Sequence, residues 1–438
     1  MNIKKVLLAT FFTWTVMPLV GSVYDPNYSA VDPLLVVLLM VKNEKDVIVP
    51  TIQSYIPQEI SNKKDIAYVV CDTGSHDGTE KIAQEFFEKN DIKNFIILQD
   101  PWVDFSTSRN RALAFTRKRF PQSTFILFPD AEWYLNSMDL LIEFCRTEKA
   151  RLDKVMGTRS PYYHLTVEVK SSPHHSDKHS MDTSIEFEFI KERLFLTNDD
   201  VEFEGETHEC TTKCSEERVP RSIYFTLGAS KVGQEKSTQR WYRDRDLLLK
   251  GFSAHPDNPR TALYLGLTEF WLGNYRDAYM YLCHRVKLSS FPEEDYFAYY
   301  KLGIVTMILA QQEPETFKWE EAHSYFLKAY SLRPHRAEPL VRIAAYYMEK
   351  DNHPVSYIYS KRAADIVRPE HEILEVEAHL YEYDRWELLS RSAWYFGDYE
   401  LGEQATLKAI ESRPNFPHLY RNLAFFWDKM SVLTEKKD

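Results

Sequence analysis

Cysteine is scarce in this chain of 438 residues, with five in total, at positions 71, 145, 210, 214 and 283. So few cysteines cannot form a disulfide framework, and their odd number leaves at least one thiol free. Cys71 and Cys283 stand among apolar neighbours, where a cysteine ordinarily packs as a small core residue. The cysteines therefore do not specify the fold.

Positive charge is in deficit as well. Lysine and arginine total 54 against 65 aspartates and glutamates, which gives a formal net charge of -11. The phosphates of a nucleic-acid duplex would be repelled by such a protein. We therefore expect no nucleic acid among its partners.

Long apolar runs are almost absent, and the exception lies at the start of the chain. In MNIKKVLLATFFTWTVMPLVGS, two lysines precede about fifteen mostly apolar residues, and small residues follow. This pattern predicts a signal peptide over residues 1–22 or, if it is not cleaved, a membrane anchor. An N-terminal element of the fold is the third alternative. We expect a secretory or membrane-associated location, with the cytoplasm as the alternative, and membrane contact through this segment alone.

Two common nucleotide-binding fingerprints are missing. No G-x-G-x-x-G follows the first apolar run, and G-x-x-x-x-G-K-[ST] occurs nowhere in the chain. Their absence excludes the usual dinucleotide-binding turn and the P-loop. Any nucleotide must be held by other groups.

Short apolar runs alternate with amphipathic stretches between residues 34 and 226. Four runs have the length of strands: LLVVLLM (34–40), IAYVVCD (66–72), NFIILQD (94–100) and STFILFPD (123–130). Helical patterns lie between them, including residues 79–90 and 106–119. Strands that alternate with helices predict a parallel sheet covered on both faces.

Polar residues follow these predicted strands. Asn43, Glu44, Asp72 and Asp130 each come just after an apolar run. The carboxyl ends of parallel strands share one edge, which is where open α/β sheets bind ligands. Asp72 also precedes a glycine-containing turn and a helix, an arrangement that suits ribose or base contacts beside a phosphate.

Two carboxylates, Asp130 and Glu132, follow the fourth predicted strand with one residue between them. Such a pair can share a hard divalent cation, Mn²⁺ or Mg²⁺, which would neutralise a departing diphosphate. Taken alone, D-A-E is more typical of an exposed acidic surface. Its position after a buried strand favours the metal interpretation.

Helical patterns dominate from residue 239 to residue 430. Prolines recur at intervals of roughly 33 to 45 residues, which is the scale of helical-hairpin repeats. Small residues such as Gly266 and Gly402 accompany large apolar ones, as close packing of paired helices requires. Residues 257–430 resemble the tetratricopeptide repeat family, with an unrelated helical bundle as the alternative.

Five separated motifs occur in order: VKNEKDVI, VVCDTGSHDGTEKI, WVDFSTSRNRAL, FPDAEWYL and ERLFLTNDDVEFEGETHE. Together they resemble the inverting glycosyltransferases of family two, particularly the branch of lipopolysaccharide-core and peptide S-glycosyltransferases. The resemblance implies a GT-A-type, Rossmann-like mixed sheet over residues 34–226, followed by the all-α repeat domain. It also implies a nucleotide-sugar donor.

The resemblance assigns roles to residues of the donor pocket. It places Asn43 and Glu44 at the nucleotide and Asp72 at its base or ribose. Asp77 becomes a second polar contact of the same turn, and Arg109 lies near the base and phosphates. A salt bridge on a helix surface is the alternative for Arg109.

The resemblance also places Asp130 and Glu132 at the family's D-x-D metal motif, with His208 as a third metal ligand or diphosphate contact. Glutamate in the last position departs from that motif, as does Trp133 where an acidic residue is common. A structural histidine is the alternative for His208.

The stretch GETHE (205–209) resembles the family's late His-Glu motif, and the resemblance implies that it supplies the base that an inverting transfer needs. Glu209 is the candidate, with Glu206 behind it. A rival for this stretch is a zinc site formed by His208, Cys210 and Cys214, for which no fourth ligand at suitable spacing is visible.

The sequence therefore predicts a metal-assisted, inverting glycosyltransferase whose repeats present an acceptor glycan or protein. A non-catalytic scaffold built on a degenerate transferase domain is the alternative. Nucleotidyl transfer is a third hypothesis, which the absence of a glycine-rich basic loop after the first strand disfavours.

Overall fold

The computed structural model describes residues 23–25, 32–154, 162–170, 185–205, 207–213, 215–227, 231–288 and 291–435. The predicted signal or anchor segment (1–22), Glu206 and Cys214 lie outside the described residues. Within the described ranges, no helix combines the length and apolar character needed to cross a bilayer.

The strands fall in the N-terminal half of the chain. They are β1 (Val23–Tyr24), β2 (Leu35–Val41), β3 (Ile66–Asp72), β4 (Phe95–Gln99), β5 (Phe125–Leu127), β6 (Trp133–Leu135), β7 (Tyr162–Lys170), β8 (Ile185–Leu196), β9 (Phe203–Glu204), β10 (Cys210–Thr211) and β11 (Tyr224–Leu227). All four strand-length runs predicted between residues 34 and 130 form strands, β2 to β5.

The α-helices interleave with the first strands and then make up the rest of the chain. They are α1 (Ile48–Ser54), α2 (Thr79–Lys89), α3 (Phe105–Arg119), α4 (Met138–Leu152), α5 (Lys231–Ala254), α6 (Pro259–Trp271), α7 (Tyr275–Arg285), α8 (Pro292–Gln312), α9 (Trp319–Leu332), α10 (Glu338–Glu349), α11 (His353–Ala364), α12 (Arg385–Phe396), α13 (Tyr399–Ser412) and α14 (Pro417–Glu435). A short 3-10 helix (Ile60–Asp65) precedes β3, and a π-helical turn (Leu380–Asp384) precedes α12.

One mixed sheet of nine strands organises the N-terminal domain, in the order β1-β4-β3-β2-β5-β8-β7-β11-β6. Strands β4, β3, β2 and β5 are parallel, whereas β8 runs antiparallel to both β5 and β7. Strands β9 and β10 form a separate antiparallel pair. The predicted fold class, a mixed sheet domain followed by an all-α repeat domain, is confirmed.

Both faces of the central sheet are buried, which explains the unbroken apolar runs. In β2, Leu35, Val37 and Leu39 belong to the core on one face, while Val36 and Leu38 belong to the core on the other. Since neighbouring side chains of a strand point to opposite faces, a strand covered on both sides needs apolar residues at every position.

Helices of the C-terminal part pack as successive hairpins, and glycine makes their close approach possible. A Cβ atom on Gly266 of α6 would lie 2.8 Å from Leu282 of α7, and one on Gly402 of α13 would lie 2.3 Å from Phe426 of α14. These distances are shorter than van der Waals contact, so the partner side chain occupies the space that a larger residue would need. The spacing that predicted tetratricopeptide-like hairpins thus has a direct packing cause.

The helical part is joined to the sheet by backbone hydrogen bonds. Glu188 of β8 exchanges two bonds with Val376, of 2.9 and 2.8 Å, and the Ile190 amide donates to Ile373 at 3.0 Å. Because β5 is short, it leaves this edge of β8 open, and residues 373–376 cover it. Covering an open edge removes a site for unwanted strand pairing.

Candidate functional site

Two loops at the carboxyl end of the parallel strands are tied together. Asn43 follows β2 with a φ of 57°, and its amide donates to Ser75 Oγ at 2.9 Å. Its Oδ1 accepts from the His76 amide at 2.9 Å, and the Glu44 amide donates to Thr79 Oγ1 at 2.7 Å. Because Asn43 has a left-handed backbone conformation, both its amide and its side-chain oxygen reach the β3–α2 turn. These bonds fix the loop after β2 relative to that turn.

Asp77 organises the same turn. Its Oδ1 accepts from the Thr79 amide at 3.0 Å and its Oδ2 accepts from the Lys45 amide at 3.2 Å. Burial alone would raise the pKa of Asp77, but these bonds and one from the Thr79 hydroxyl outweigh it and hold the pKa below its ordinary value. Both oxygens thus bind the chain itself, a structural use that the sequence-based assignment to a ligand contact did not include.

Asp72 ends β3 and is 3% exposed. Its Oδ1 accepts from the amides of Gly74 and Ser75 at 2.8 and 2.7 Å, and Gly74 adopts a φ of 102° that suits glycine. Its Oδ2 is buried and has no hydrogen-bond partner among the described residues. An unpaired buried acceptor costs about 1–3 kcal/mol. The orphan oxygen is therefore suited to a donor group of a ligand, such as a base amine or a ribose hydroxyl.

The sheet register sets Asp72 near Asp130. Asp72 lies beside Val41 of β2, and Asp130 bridges Met40 on the opposite side of that strand. Two strand spacings separate the backbones of the two aspartates, about 10 Å. That separation matches a ligand that extends from a base or ribose to a diphosphate.

Arg109 is at the centre of the site. It lies on α3, whose N-terminus is capped by Asp104 through a 2.7 Å bond from the Thr107 amide. Arg109 Nη2 donates to Asp130 Oδ1 at 2.5 Å, and its Nε lies 2.8 Å from Glu209 Oε1. The residue is 4% exposed. The alternative of a helix-surface ion pair is therefore wrong, because this arginine joins two carboxylates from distant parts of the chain.

Aromatic rings hold the guanidinium in place. The Arg109 Cζ atom lies 5.0 Å from the ring centre of Phe128 and 5.5 Å from that of Phe203. Asn110 of α3 is bonded to β9, the strand that contains Phe203. Its side-chain amide donates to the Phe203 carbonyl at 2.9 Å, and its Oδ1 accepts from the Phe203 amide at 2.8 Å. These contacts align α3 with β9 and so bring Glu209 to Arg109.

Both carboxylates at Arg109 are ionised at neutral pH. Burial favours their protonated forms, but Arg109 and then Arg193 outweigh it and hold the pKa of Asp130 well below its usual range. The same two arginines, with Lys191, lower the pKa of the nearly buried Glu209 despite its burial. The site is thus a preorganised arrangement of two anions among guanidinium groups.

His208 is held against the helical part of the chain. It adopts a φ of 51°, and its ring stacks on Tyr264 of α6 with centroids 4.1 Å apart. Its carbonyl accepts from Arg260 Nη2 at 3.2 Å. Burial lowers the pKa of His208 to about 3, so the ring is neutral at pH 7. These contacts support the structural alternative for this residue.

Glu132 lies near Arg240 of α5, with Oε1 3.8 Å from Nη1, and its side chain is 34% exposed. Among the described residues, no three His, Cys, Asp or Glu side chains converge as a metal-binding group. The predicted trio of Asp130, Glu132 and His208 is thus not assembled by the protein alone. The reason is that Asp130 pairs with Arg109 and His208 stacks on Tyr264.

A cleft of about 1750 Å³ brings most of these groups together between the sheet and the helices. Its lining includes five residues predicted from the sequence: Arg109, Asp130, Glu132, His208 and Glu209. The other predicted residues lie in the loops already described, outside this lining: Asn43, Glu44, Asp72 and Asp77. The described candidate residues are therefore divided between the strand-end loops and the cleft.

Several lining residues escaped the sequence analysis, including Arg193, Arg240 and Asp244. Arg193 lies on β8 and is the second residue of the fifth motif, but the sequence analysis assigned no role to it. Arg240 and Asp244 lie on α5, which begins at Lys231, before the position where helical patterns became clear. The signal that was available is the charge pattern RWYRDRD, in which Arg240 and Asp244 are one helical turn apart.

Comparison with known families identifies the N-terminal domain. Residues 36–214 match the model of the family described as Glycosyl transferase family 2. The predicted family resemblance of this part of the chain is confirmed, and the cleft residues from Arg109 to Glu209 fall within the match. A search of curated proteins finds no match.

Several solved structures share partial likeness with the chain. A crystal structure of MamA is 18% identical with a TM-score of 0.32, over 42% of this chain and 96% of that one. The C-terminal part of a TPR repeat-containing protein from Cytophaga hutchinsonii is 14% identical with a TM-score of 0.35, over 44% and 66%. Pseudomonas aeruginosa pilF is 17% identical with a TM-score of 0.31, over 42% and 72%.

Proposed function

We propose that this protein is an inverting glycosyltransferase that moves a sugar from a nucleotide-diphosphate donor to an acceptor nucleophile. The family match supports glycosyltransferase activity in general. The observation that carries the finer proposal is the buried guanidinium of Arg109, which joins Asp130 and Glu209 on the wall of the cleft. The Arg109 guanidinium thus lies between Asp130, on the side proposed for the diphosphate, and Glu209, the proposed proton acceptor.

Donor binding is proposed to begin at Asp72. Its orphan Oδ2 accepts a hydrogen bond from the base or ribose, which relieves the cost of the buried unpaired atom. The diphosphate then extends along the strand ends toward Asp130. The cleft is lined there by Arg109, Arg193 and Arg240, which supply positive charge for the phosphate oxygens.

A divalent cation, Mn²⁺ or Mg²⁺, is part of the proposal. Magnesium is ordinarily bound by one or two carboxylates together with substrate phosphates, rather than by a complete set of protein ligands. Asp130 and Glu132 both line the cleft and are each about one-third exposed, which fits that mode of binding. When bound, the cation would stabilise negative charge on the leaving diphosphate.

Glu209 is proposed as the general base. The acceptor hydroxyl attacks the anomeric carbon from the face opposite the diphosphate, and a new carbon–oxygen bond forms as the carbon–phosphate oxygen bond breaks. The hydroxyl proton passes to a carboxylate oxygen of Glu209, and the nucleoside diphosphate leaves. Arg109 keeps Glu209 ionised and oriented until the proton arrives. Glu206 stays a sequence-based prediction for a supporting role.

The helical repeats are proposed to bind the acceptor, since α5, α6 and α8 supply one side of the cleft. A secretory or membrane-associated location is proposed from residues 1–22. The supporting observation is the apolar run that follows two lysines.

The decisive experiment incubates the purified protein with a panel of nucleotide sugars and Mn²⁺ or Mg²⁺, and measures the released nucleoside diphosphate. We expect slow hydrolysis of at least one donor, and NMR of the product should show inverted anomeric configuration. Glu209→Gln should lower the transfer rate about 10²- to 10⁴-fold while donor binding persists. Failure to bind or hydrolyse any donor would contradict the proposal and favour the non-catalytic scaffold.

A further inference from the structure

One side of the cleft carries groups that the proposed chemistry does not use. Trp241 and Asp244 of α5 line it, as do Tyr264, Leu267 and Trp271 of α6. The first two are three residues apart, and the last three follow at intervals of three and four. Each set therefore lies along one face of its helix. The helical side of the cleft is an aromatic surface that includes one carboxylate.

Aromatic rings face the cleft from both domains. Trp241 and Trp271 stack across the α5–α6 contact, with ring centroids 5.9 Å apart and planes 21° from parallel. On the sheet side, Phe187 and Phe189 of β8 stack at 6.4 Å. Both tryptophans are only half-buried. The cleft therefore offers flat apolar surfaces to a ligand.

Asp244 is the polar group set into this surface, and it is 4% exposed. Its Oδ1 has no hydrogen-bond partner within the described parts of the chain. The nearest cation is Arg243, whose Nη2 lies 3.8 Å away, beyond hydrogen-bond distance. A carboxylate oxygen that is buried and unpaired is suited to a hydroxyl donor of a ligand.

Asp244 is also linked to the candidate base. Burial raises the pKa of the Asp244 carboxyl, and the Thr207 side chain, two residues from Glu209, opposes that shift. Asp244 and Glu209 also line the same cleft. A ligand held at Asp244 therefore lies in the cavity that contains the candidate base, as an acceptor must.

We infer that this surface, formed chiefly by Trp241, Asp244 and Trp271, is the acceptor subsite and that it binds a pyranose sugar. The inference rests on the proposed function, because it names the acceptor of that transfer. A pyranose has a flat face of C–H bonds, which packs on aromatic rings, and a rim of hydroxyl donors. Aromatic walls with one precisely placed polar group are typical of pockets for such small ligands.

The test uses the full chain with methyl α- and β-pyranosides of glucose, galactose and mannose as probes. A serine- and threonine-containing peptide serves as the protein-type acceptor. Tryptophan fluorescence, in the presence of the preferred nucleoside diphosphate and Mn²⁺, reports binding. We expect saturable binding of at least one methyl pyranoside.

The isosteric variant Asp244→Asn should weaken that binding about ten- to a hundredfold. The matched control is Asp246→Asn on the same helix, whose side chain is 66% exposed and which should bind as the wild type does. Both variants should melt near the wild-type temperature, so that weaker binding by Asp244→Asn is not a loss of folding.

Three results would overturn the inference: binding of the peptide alone, pyranoside binding unaffected by Asp244→Asn, or a loss of kcat at unchanged acceptor KM. The last would make Asp244 part of the chemistry instead of acceptor binding. Donor hydrolysis without pyranoside binding would reject the subsite and leave the proposed function intact. Absence of donor binding would reject the proposed function, while the pyranoside titration would still decide the subsite.

Discussion

Two buried arginines, one in each part of the molecule, make a direct comparison. Arg109 joins Asp130 and Glu209 in the sheet domain, and Arg336 joins Glu338 and Glu372 in the helical domain. Each guanidinium also lies over an aromatic ring, at 5.0 Å from Phe128 and 4.6 Å from Tyr296 respectively. By contact type alone the two arginines are nearly the same.

Their surroundings differ. The partners of Arg336 are buried, and Glu338 also accepts hydrogen bonds from Tyr296 and Tyr381. Asp130, in contrast, keeps about a third of its side chain exposed to the cleft. An ion pair closed on every side can only support the fold, whereas one with an open oxygen can exchange its partner for a ligand. Solvent access, and not pairing, therefore distinguishes Asp130 from the carboxylates that pair with Arg336.

The sharpest test of this contrast is Arg336→Met. The change removes the cation that pairs with the buried Glu338, whereas Glu372 keeps Arg333 as a partner. The free energy of unfolding should fall by about 3–5 kcal/mol. Urea denaturation followed by circular dichroism measures the loss. Arg240→Met, at a side chain that is 45% exposed, is the control and should change stability by well under 1 kcal/mol. Equal losses in the two variants would contradict the structural role of Arg336.

Arg109→Lys, unlike Arg336→Met, should lower activity more than stability. Lysine keeps the charge but cannot contact Asp130 and Glu209 with a planar fork. Turnover of the nucleotide sugar should fall about 10²- to 10³-fold, which is the usual loss when a hydrogen-bond donor that stabilises a charged transition state is removed. Released nucleoside diphosphate and a thermal melt together separate the two effects. Unchanged turnover would remove Arg109 from the proposed site.

Gly402→Ala tests the helical part without touching any charge. The added methyl would lie 2.3 Å from Phe426 Cε1, and overpacking of this kind costs about 1–3 kcal/mol. Gly251→Ala is the matched control, since its Cβ atom would meet the Thr261 methyl at an ordinary 3.5 Å. A stabilised Gly402→Ala variant would show that the α13–α14 contact adapts. Urea midpoints compare the two.

The smallest expected effect, counted per pH unit, is a pH dependence at His208. Its pKa is lowered to about 3 in the folded protein, so the unfolded chain binds more protons between pH 6.5 and 3. Stability from this group is present above pH 6.5 and should be lost on acidification by up to about 1.4 kcal/mol per pH unit. His208→Asn should flatten the profile relative to wild type, and exposed His76→Asn should not. Equal slopes in all three proteins would refute the burial of this ring.

The central strands of this protein were predictable because a strand that is buried on both faces has apolar residues at nearly every position. The run IAYVVCD is an example, and it forms β3 with the predicted bounds. The hairpins were predictable for a similar reason, since Gly266 and Gly402 mark points of close helix contact. Both signals are local, so neither depends on knowing how distant segments meet.

The pairing within the site was not predictable in the same way. Arg109 meets Glu209 across a hundred positions of sequence, and no local pattern indicates that meeting. The backbone contacts of Asp77 were not predicted for a related reason, because an aspartate in a glycine-containing turn suits a ligand and a backbone amide equally well. Arg240 and Asp244 of α5 were missed although they lie within the predicted helical region, because a helical pattern does not indicate that the helix lines a cleft beside the sheet.

The segment 373–376, which is bonded to β8, has a consequence for dissecting or recombining this protein. Its backbone bonds to Glu188 and Ile190 mean that the two halves of the chain share a sheet edge far from their point of covalent connection. Cutting the chain after residue 227 would strip that edge from β8 and invite self-association of the fragment. A chimera that exchanges the repeats must therefore supply a segment that forms the same backbone hydrogen bonds with β8. Without it, the sheet domain keeps an unpaired edge that can associate with other chains.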